Sequence, residues 1–139
     1  MKKNSTNELS ERLLQFAVNV ILYLRTVKYS VETIDIKRQL TKSCTSAGAN
    51  YEESQGAYTK PDARMKIGIS LKEMRESNYF LKVADQLNHG DNGKCNTLIK
   101  ESTELKLILA SILNKLNNIL ILVPGSWFLG LGVLNFPPC

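Results

Sequence analysis

Apolar residues recur every three or four positions along most of this chain, a period that suits helices and leaves almost no room for sheet. From Glu8 to Val27 the stripe is Leu9, Leu13, Phe16, Val20, Leu24 and Val27. Leu14, Ala17 and Ile21 widen it, as a helix facing a bundle core requires. A second segment, about Glu32 to Gly56, carries Ile36, Leu40, Cys44, Ala47 and Tyr51. A third, about Pro61 to Asn88, carries Ala63, Ile67, Leu71, Met74, Leu81, Ala84 and Leu87. A fourth, from about Lys94 to Leu116 or a little beyond, carries Leu98, Leu105, Leu109, Ile112, Leu116 and Ile119. No segment shows the period-two alternation of a half-buried strand.

Punctuation agrees with four helices. Ser5 or Asn7 can cap the first, with Glu8 and Glu11 near its positive end. Thr59 can cap the third, Pro61 fits its first turn and Asp62 faces its dipole. The run Asn88-His89-Gly90-Asp91-Asn92-Gly93 is a stop and turn. Helices of about 20–28 residues are about 30–42 Å long. Short turns between them predict an all-α, antiparallel up-down-up-down four-helix bundle over residues 1–118.

The middle of the second helix is unusual, because Ser43, Thr45, Ser46, Ala47, Gly48 and Ala49 are nearly all small. A glycine inside a helix costs about 0.8–1 kcal/mol relative to alanine. Close approach of a neighbouring helix is the expected return. Carboxylates follow: Glu52 and Glu53 on this helix, Glu73 and Glu76 on the next. Asn50 and Glu53 are three apart, as are Glu73 and Glu76, so each pair shares a helix face. Such acids suit a metal site, a proton-transfer site or a polar lock between helices. A dinuclear metal bundle needs two Glu-x-x-His pairs, whereas this chain has one histidine, His89, in the predicted turn. No Ser or Cys sits in a nucleophile elbow, and no phosphate-cradling loop is present. The polar lock is therefore the preferred reading, with Asn50, Glu53, Glu73 and Glu76 as its residues. Glu53 and Glu76 are expected to be partly buried, with Ser43, Ser46, Ser70 and Arg75 completing their hydrogen bonds. Nothing here calls for catalysis, a cofactor, a metal or a small-molecule substrate.

With 139 residues and 43% hydrophobic content the chain can bury one continuous core. Its formal net charge of +5 is a mild basic bias that favours anionic partners. Three cysteines, Cys44, Cys95 and Cys139, have no metal-type spacing and suit a reducing, cytoplasmic setting, with Cys44 in the core. The apolar run Leu13–Leu24 is interrupted by Gln15 and Asn19 and precedes Arg25-Thr26-Val27-Lys28, so it reads as a helix of the mature protein. Residues 119–139 form an apolar tail. Pro124 and the glycines that follow argue against a membrane span, and Trp127-Phe128 reads as a contact surface for its own bundle or an oligomer partner, ahead of disorder.

Two stretches carry a family resemblance: Ser46-Ala47-Gly48-Ala49-Asn50-Tyr51-Glu52-Glu53, and Ser70-Leu71-Lys72-Glu73-Met74-Arg75-Glu76 continuing through Tyr79-Phe80-Leu81. They resemble the motifs S-x-x-x-N-x-x-E and S-L-x-E of the four-helix bundle proteins known as 23S rRNA intervening-sequence or S23 ribosomal proteins. The resemblance covers about Leu9 to Leu116. It implies an antiparallel bundle that forms homo-oligomers, commonly a pentamer, with no enzymatic activity. Some members are encoded within ribosomal RNA intervening sequences, and a related bundle, the accessory protein of diversity-generating retroelements, is basic and binds nucleic acid. Many members have Gly after the motif glutamate where this chain has Ser54, and the tail matches no family feature.

The expected function is thus a non-catalytic, homo-oligomeric module that binds nucleic acid, RNA or DNA with RNA foremost, or associates with the ribosome or its rRNA. Lys37, Arg38, Lys42, Lys60, Arg64 and Lys66, around the second and third helices, are the candidate phosphate contacts. The alternative is a protein-interaction scaffold that uses bundle faces or the tail.

Overall fold

The computed structural model describes residues 5–121, with side chains from 8 to 118. They form four helices, α1 (Ser5–Leu24), α2 (Val31–Gln55), α3 (Lys60–Gln86) and α4 (Asn92–Ile121). Local chemistry sets the ends. Ser30 caps α2 in a reciprocal box with Thr33, and the Thr33 hydroxyl also donates to the Lys28 carbonyl at 2.8 Å. Thr59 caps α3 as expected, its hydroxyl accepting from the Asp62 N–H at 3.3 Å, with Pro61 in the first turn. The capping roles expected for Ser5 and Asn7 fall on side chains outside those described. After α3 the chain turns through Asn88 (φ 52°) and Gly90 (φ 74°). At Gly90 a Cβ would lie 2.7 Å from Thr26 Oγ1 and 2.8 Å from Val27 Cγ2, so only glycine fits there. Tyr23 and Thr26 clamp this turn: the Tyr23 hydroxyl donates to the His89 carbonyl, and Thr26 Oγ1 accepts from the Asp91 N–H at 3.0 Å.

Cross-helix bonds give the directions. Lys66 near the start of α3 meets Glu53 near the end of α2, while Ser77 further along α3 meets Ser43 earlier in α2. Between α3 and α4 the same reversal runs from Arg64 with Asn117 to Leu81 with Cys95. Between α1 and α4 it runs from Arg12 with Glu101 and Glu104 to Thr26 with Asp91. The order is up-down-up-down, α1 closing on α4. The most extensive interface joins α2 and α3, and of the four interfaces between adjacent helices α1 and α4 share the smallest.

The expected stripes are the core: Leu13, Phe16, Val20, Leu40, Cys44, Met74, Leu81, Leu105 and Leu109 are all essentially inaccessible. Each large side chain contributes about 1.5–3 kcal/mol by leaving water. Two members of the expected stripes are instead exposed, Leu14 at 55% and Leu87 at 53%. Leu14 lies on the outer flank of α1, and Leu87 caps the end of α3 beyond the last layer. The first helix ends at Leu24, not Val27, because Thr26 and Val27 turn the chain under the Gly90 corner.

The helices differ in reach. The Arg12 and Thr26 bonds set the start of α1 level with about Ala110, so the last turns of α4 run on for about 16 Å beyond it. Along this overhang Ile112, Leu113 and Leu116 are only half-buried, though they continue the stripe of the fully buried Leu105 and Leu109. The helix continues to Ile121, past the expected boundary at 118. The tail expected to act as a contact surface lies, from residue 122 on, outside the described residues.

Candidate nucleic-acid interface and the polar seam beside it

Serines, not glutamates, fasten the central pair of helices. Ser43 Oγ and Ser77 Oγ lie 2.7 Å apart, and Ser70 Oγ donates to the Ala47 carbonyl at 2.7 Å, all with side chains removed from water. A hydroxyl bonded to the facing helix costs little volume, so two backbones can approach closely without leaving a buried donor unpaired. The small-residue cluster of α2 serves two sides. Ser43 and Ala47 meet α3, while Gly48 faces α1, where a Cβ would lie 3.7 Å from Leu13 Cβ, an ordinary contact.

The four motif residues do not form one buried lock. Asn50 is half-buried, and its amide donates within its own helix, to the Ser46 carbonyl at 2.9 Å and the Ser46 hydroxyl at 3.1 Å. Glu53, expected to be partly buried, is exposed and pairs with Lys66. The physical reason is position: Glu53 is in the last turn of α2, at the end of the bundle, where its partner's ammonium and solvent both reach it. That pairing raises the Lys66 pKa. Glu73 and Glu76 are half-buried, and Glu73 Oε2 is sheltered with no partner among the described residues. Of the expected hydrogen-bond donors, Ser43 and Ser70 do cross the seam, but to a hydroxyl and a carbonyl. Arg75 is exposed and reaches no carboxylate among the described residues.

A second polar node, on α3 and α4, was invisible in the carboxylate pattern. Asn78 is buried, and its amide donates to Ser102 Oγ at 2.8 Å and Thr103 Oγ1 at 3.1 Å, while its Oδ1 accepts from Lys106 Nζ at 3.2 Å. Its spacing from Met74 and Leu81 places it in the apolar stripe, and that was the available signal. On the far side of α4, Arg12 forks across Glu101 at 2.9 and 2.8 Å and reaches Glu104 at 2.8 Å. Bonding to Glu101 holds the guanidinium well above its usual range. The pairing turns both α4 carboxylates toward α1 and away from α3.

The six expected phosphate contacts do not form one patch. Lys37, Arg38 and Lys42 lie in the first half of α2, and Lys60, Arg64 and Lys66 in the first turns of α3, at the opposite end of the antiparallel pair. Arg38 is paired with Asp35 at 2.8 Å, and Lys66 with Glu53. A different arrangement runs along α3. Arg64, Lys72, Arg75, Tyr79 and Lys82 recur at steps of three and four through Gly68, and all five side chains are exposed. The row spans about 27 Å. Lys72, Arg75 and Lys82 make no ion pair among the described residues, and Arg64 bonds only the neutral Asn117 amide oxygen at 3.4 Å. The Lys106 ammonium adds to the row beside Asn78. Asp85, half-buried, is the carboxylate that follows Lys82 by one turn. Tyr79, 63% exposed, places an aromatic ring in the middle of this charge. Only Arg64 of the row was among the sequence candidates, although the helical spacing of the others was there to be read.

Among the described residues, no three His, Cys, Asp or Glu side chains assemble into a group that could hold a metal ion. His89 sits in the α3–α4 turn as expected, with Nε2 sheltered and unpartnered among those residues. No described helix is long and apolar enough to cross a membrane.

The fold is an all-α antiparallel four-helix bundle whose central pair is fastened by serines. The chain belongs to the 23S rRNA-intervening sequence protein family, whose model matches residues 5–111. It is similar to a solved protein of unknown function from the S23 ribosomal protein family of Bacteroides thetaiotaomicron. The two are 28% identical with a TM-score of 0.68, over 76% of this chain and 97% of that one. No curated protein matches.

Proposed function

We propose that this chain is a non-catalytic, cytoplasmic RNA-binding module that works as a homo-oligomer, a ring of five by resemblance, with no cofactor and no small-molecule substrate. The observation that carries the reading is the exposed row Arg64, Lys72, Arg75 and Lys82 on α3, with Tyr79 inside it. Cations at helical spacing along one ridge suit successive phosphates, and an exposed ring offers a stacking surface for an unpaired base. The ribosomal-RNA name of the family favours RNA over DNA. A ring would multiply the charge of +5 carried by each subunit.

Fluorescence anisotropy with a structured ribosomal RNA fragment, across a salt series, tests this. Each phosphate contact lowers log K by about 0.7–0.9 per unit of log salt, so four contacts give a slope of about −3 to −4. Absence of binding at about 50 mM salt, where such contacts are strongest, would remove the reading. Solution mass of the same sample reports the subunit number.

A second reading, a protein-interaction scaffold, is favoured by the exposed apolar row Leu14, Val18 and Leu22 on α1. A partner retained after nuclease treatment but lost in Val18→Glu would support it over RNA binding.

A further inference from the structure

We propose that the seam between α3 and α4 carries a fixed phosphate seat. In it Lys106, held by the buried Asn78 between Arg75 and Lys82, grips one backbone phosphate of the RNA, an inference that rests on the RNA-binding reading. The seat is built outward from a carbonyl. Ser102 Oγ and Thr103 Oγ1 both donate to the Ile99 carbonyl, at 3.0 and 2.8 Å. With their protons so placed, the two hydroxyls can only accept from Asn78, whose amide nitrogen lies 2.8 Å from the first and 3.1 Å from the second. That fixes which way the amide points. Its Oδ1 faces the other way and accepts from Lys106 Nζ at 3.2 Å. Asn78 is 3% exposed, so packing holds the acceptor in place as well as these bonds do.

The tether uses one N–H of the Lys106 ammonium and leaves the others for a ligand. Lys106 makes no ion pair among the described residues. Its neighbours one turn away on α4 are Ser102, Thr103, Leu109 and Ala110, none of them acidic, and Arg12 holds Glu101 and Glu104. On α3, Arg75 and Lys82 flank Asn78 at three and four residues, on the same ridge and about 10 Å apart along the axis. Cations from two helices thus meet around one buried amide. Of the α3 carboxylates near them, Glu76 is turned about 100° round the helix from Arg75, and Asp85 follows Lys82 by one turn. A phosphate oxygen accepts charge-assisted bonds from such groups. An ammonium already held in place gives up less side-chain freedom on binding than a loose surface lysine. Tyr79, next to Asn78 and exposed, puts a ring beside the seat for a base of the same strand.

Fluorescence anisotropy of the full chain with the structured ribosomal RNA fragment, over a salt series, tests the seat. Lys106→Gln should flatten the slope of log K against log salt by about 0.7–0.9. Lys42→Gln, at an exposed α2 position, should flatten it by less than half as much. Asn78 is a positioning residue, and Asn78→Leu leaves every charge of the row in place. It should nonetheless weaken binding at least about threefold in the parent, and leave Lys106→Gln nearly unaffected, because it acts through the ammonium. A purely structural role would weaken both alike. Should Asn78→Leu lose the helical circular dichroism of the parent, Asn78→Ser takes its place with the same expectation. RNA bound by Lys106→Gln with the parent's slope would overturn the seat and leave the RNA reading standing. So would an equal loss from Asn78→Leu in both backgrounds. A parent that binds no RNA would remove the seat and the RNA reading together.

Discussion

The hydroxyls of Ser43 and Ser77 lie 2.7 Å apart across the α2–α3 interface, with both residues wholly removed from solvent. Each has a fallback on its own helix, Ser43 to the Leu40 carbonyl at 3.4 Å and Ser77 to the Glu73 carbonyl at 3.1 Å. Removing one hydroxyl should therefore cost only about 1 kcal/mol. Ser43→Ala with Ser77→Ala together should cost less than the sum of the singles, since neither leaves the other unpaired. Ser77→Leu should cost about 1–3 kcal/mol or more by overfilling the contact. Urea midpoints measure all four. Additive single effects would show that the two hydroxyls do not interact.

Gly68 lies inside α3, and a Cβ built there meets nothing within 4 Å. Its backbone is helical, so the residue carries the entropic cost of glycine without using its freedom. Gly68→Ala should stabilise by about 0.5–1 kcal/mol, raising Tm by about 2–5 °C. A lower Tm would mean that something packs there in the assembled protein.

Arg12 and Arg38 should differ in worth. Arg12 grips Glu101 with two bonds, both side chains about one-third exposed (32% and 31%), whereas Arg38 and Asp35 are each 71% exposed and share one bond. A double-mutant cycle on Arg12 and Glu101 should give about 1 kcal/mol, and one on Arg38 and Asp35 about 0.3 kcal/mol. Arg12→Lys should lose much of the coupling, because an ammonium cannot fork. Equal couplings would contradict this ranking.

Burial pushes the Cys44 thiol up to about 12, from a usual value of 9.0, and raises Cys95 as well. In Cys139→Ser, a thiol reagent at pH 8 should therefore label neither cysteine until denaturant is added. The stability effect has a definite sign. The folded pKa is the higher one, so Cys44 contributes its full stability below about pH 9 and loses it progressively toward pH 12. In Cys44→Ala that part of the alkaline decline should be absent, as urea titrations at several pH values would show.

What the sequence reveals of this fold depends on which property is periodic. The helices and their core faces follow from apolar spacing alone, and Leu13, Phe16, Leu40, Met74 and Leu105 are buried where the stripe puts them. Tyr23 escaped because it lies one residue off that stripe, yet it is inaccessible, held by the Gly90 turn. Carboxylates drew attention as the costly groups to bury, but the seam instead uses Ser43, Ser70, Ser77 and Asn78, whose small dipoles can be satisfied inside. Spacing along one helix cannot say which polar residue faces a partner and which, like Glu53, ends in solvent. The basic row on α3 was open to the same 3.6-residue reasoning as the core. Clustering in sequence, by contrast, does not imply clustering in space: Lys37, Arg38 and Lys42 lie at the opposite end of the α2–α3 pair from Lys60, Arg64 and Lys66.

RNA binding by charge-neutralised variants separates the two candidate surfaces. The triple variant Lys72→Gln, Arg75→Gln, Lys82→Gln removes the α3 row, and Lys37→Gln, Arg38→Gln, Lys42→Gln removes the α2 group. Titrated against the same structured RNA from low to physiological salt, the α3 triple should lose about 2–3 units of salt slope, and the α2 triple less than about one. An α3 triple that stays folded and keeps the parent's slope and affinity would contradict the assignment of this row as the RNA contact.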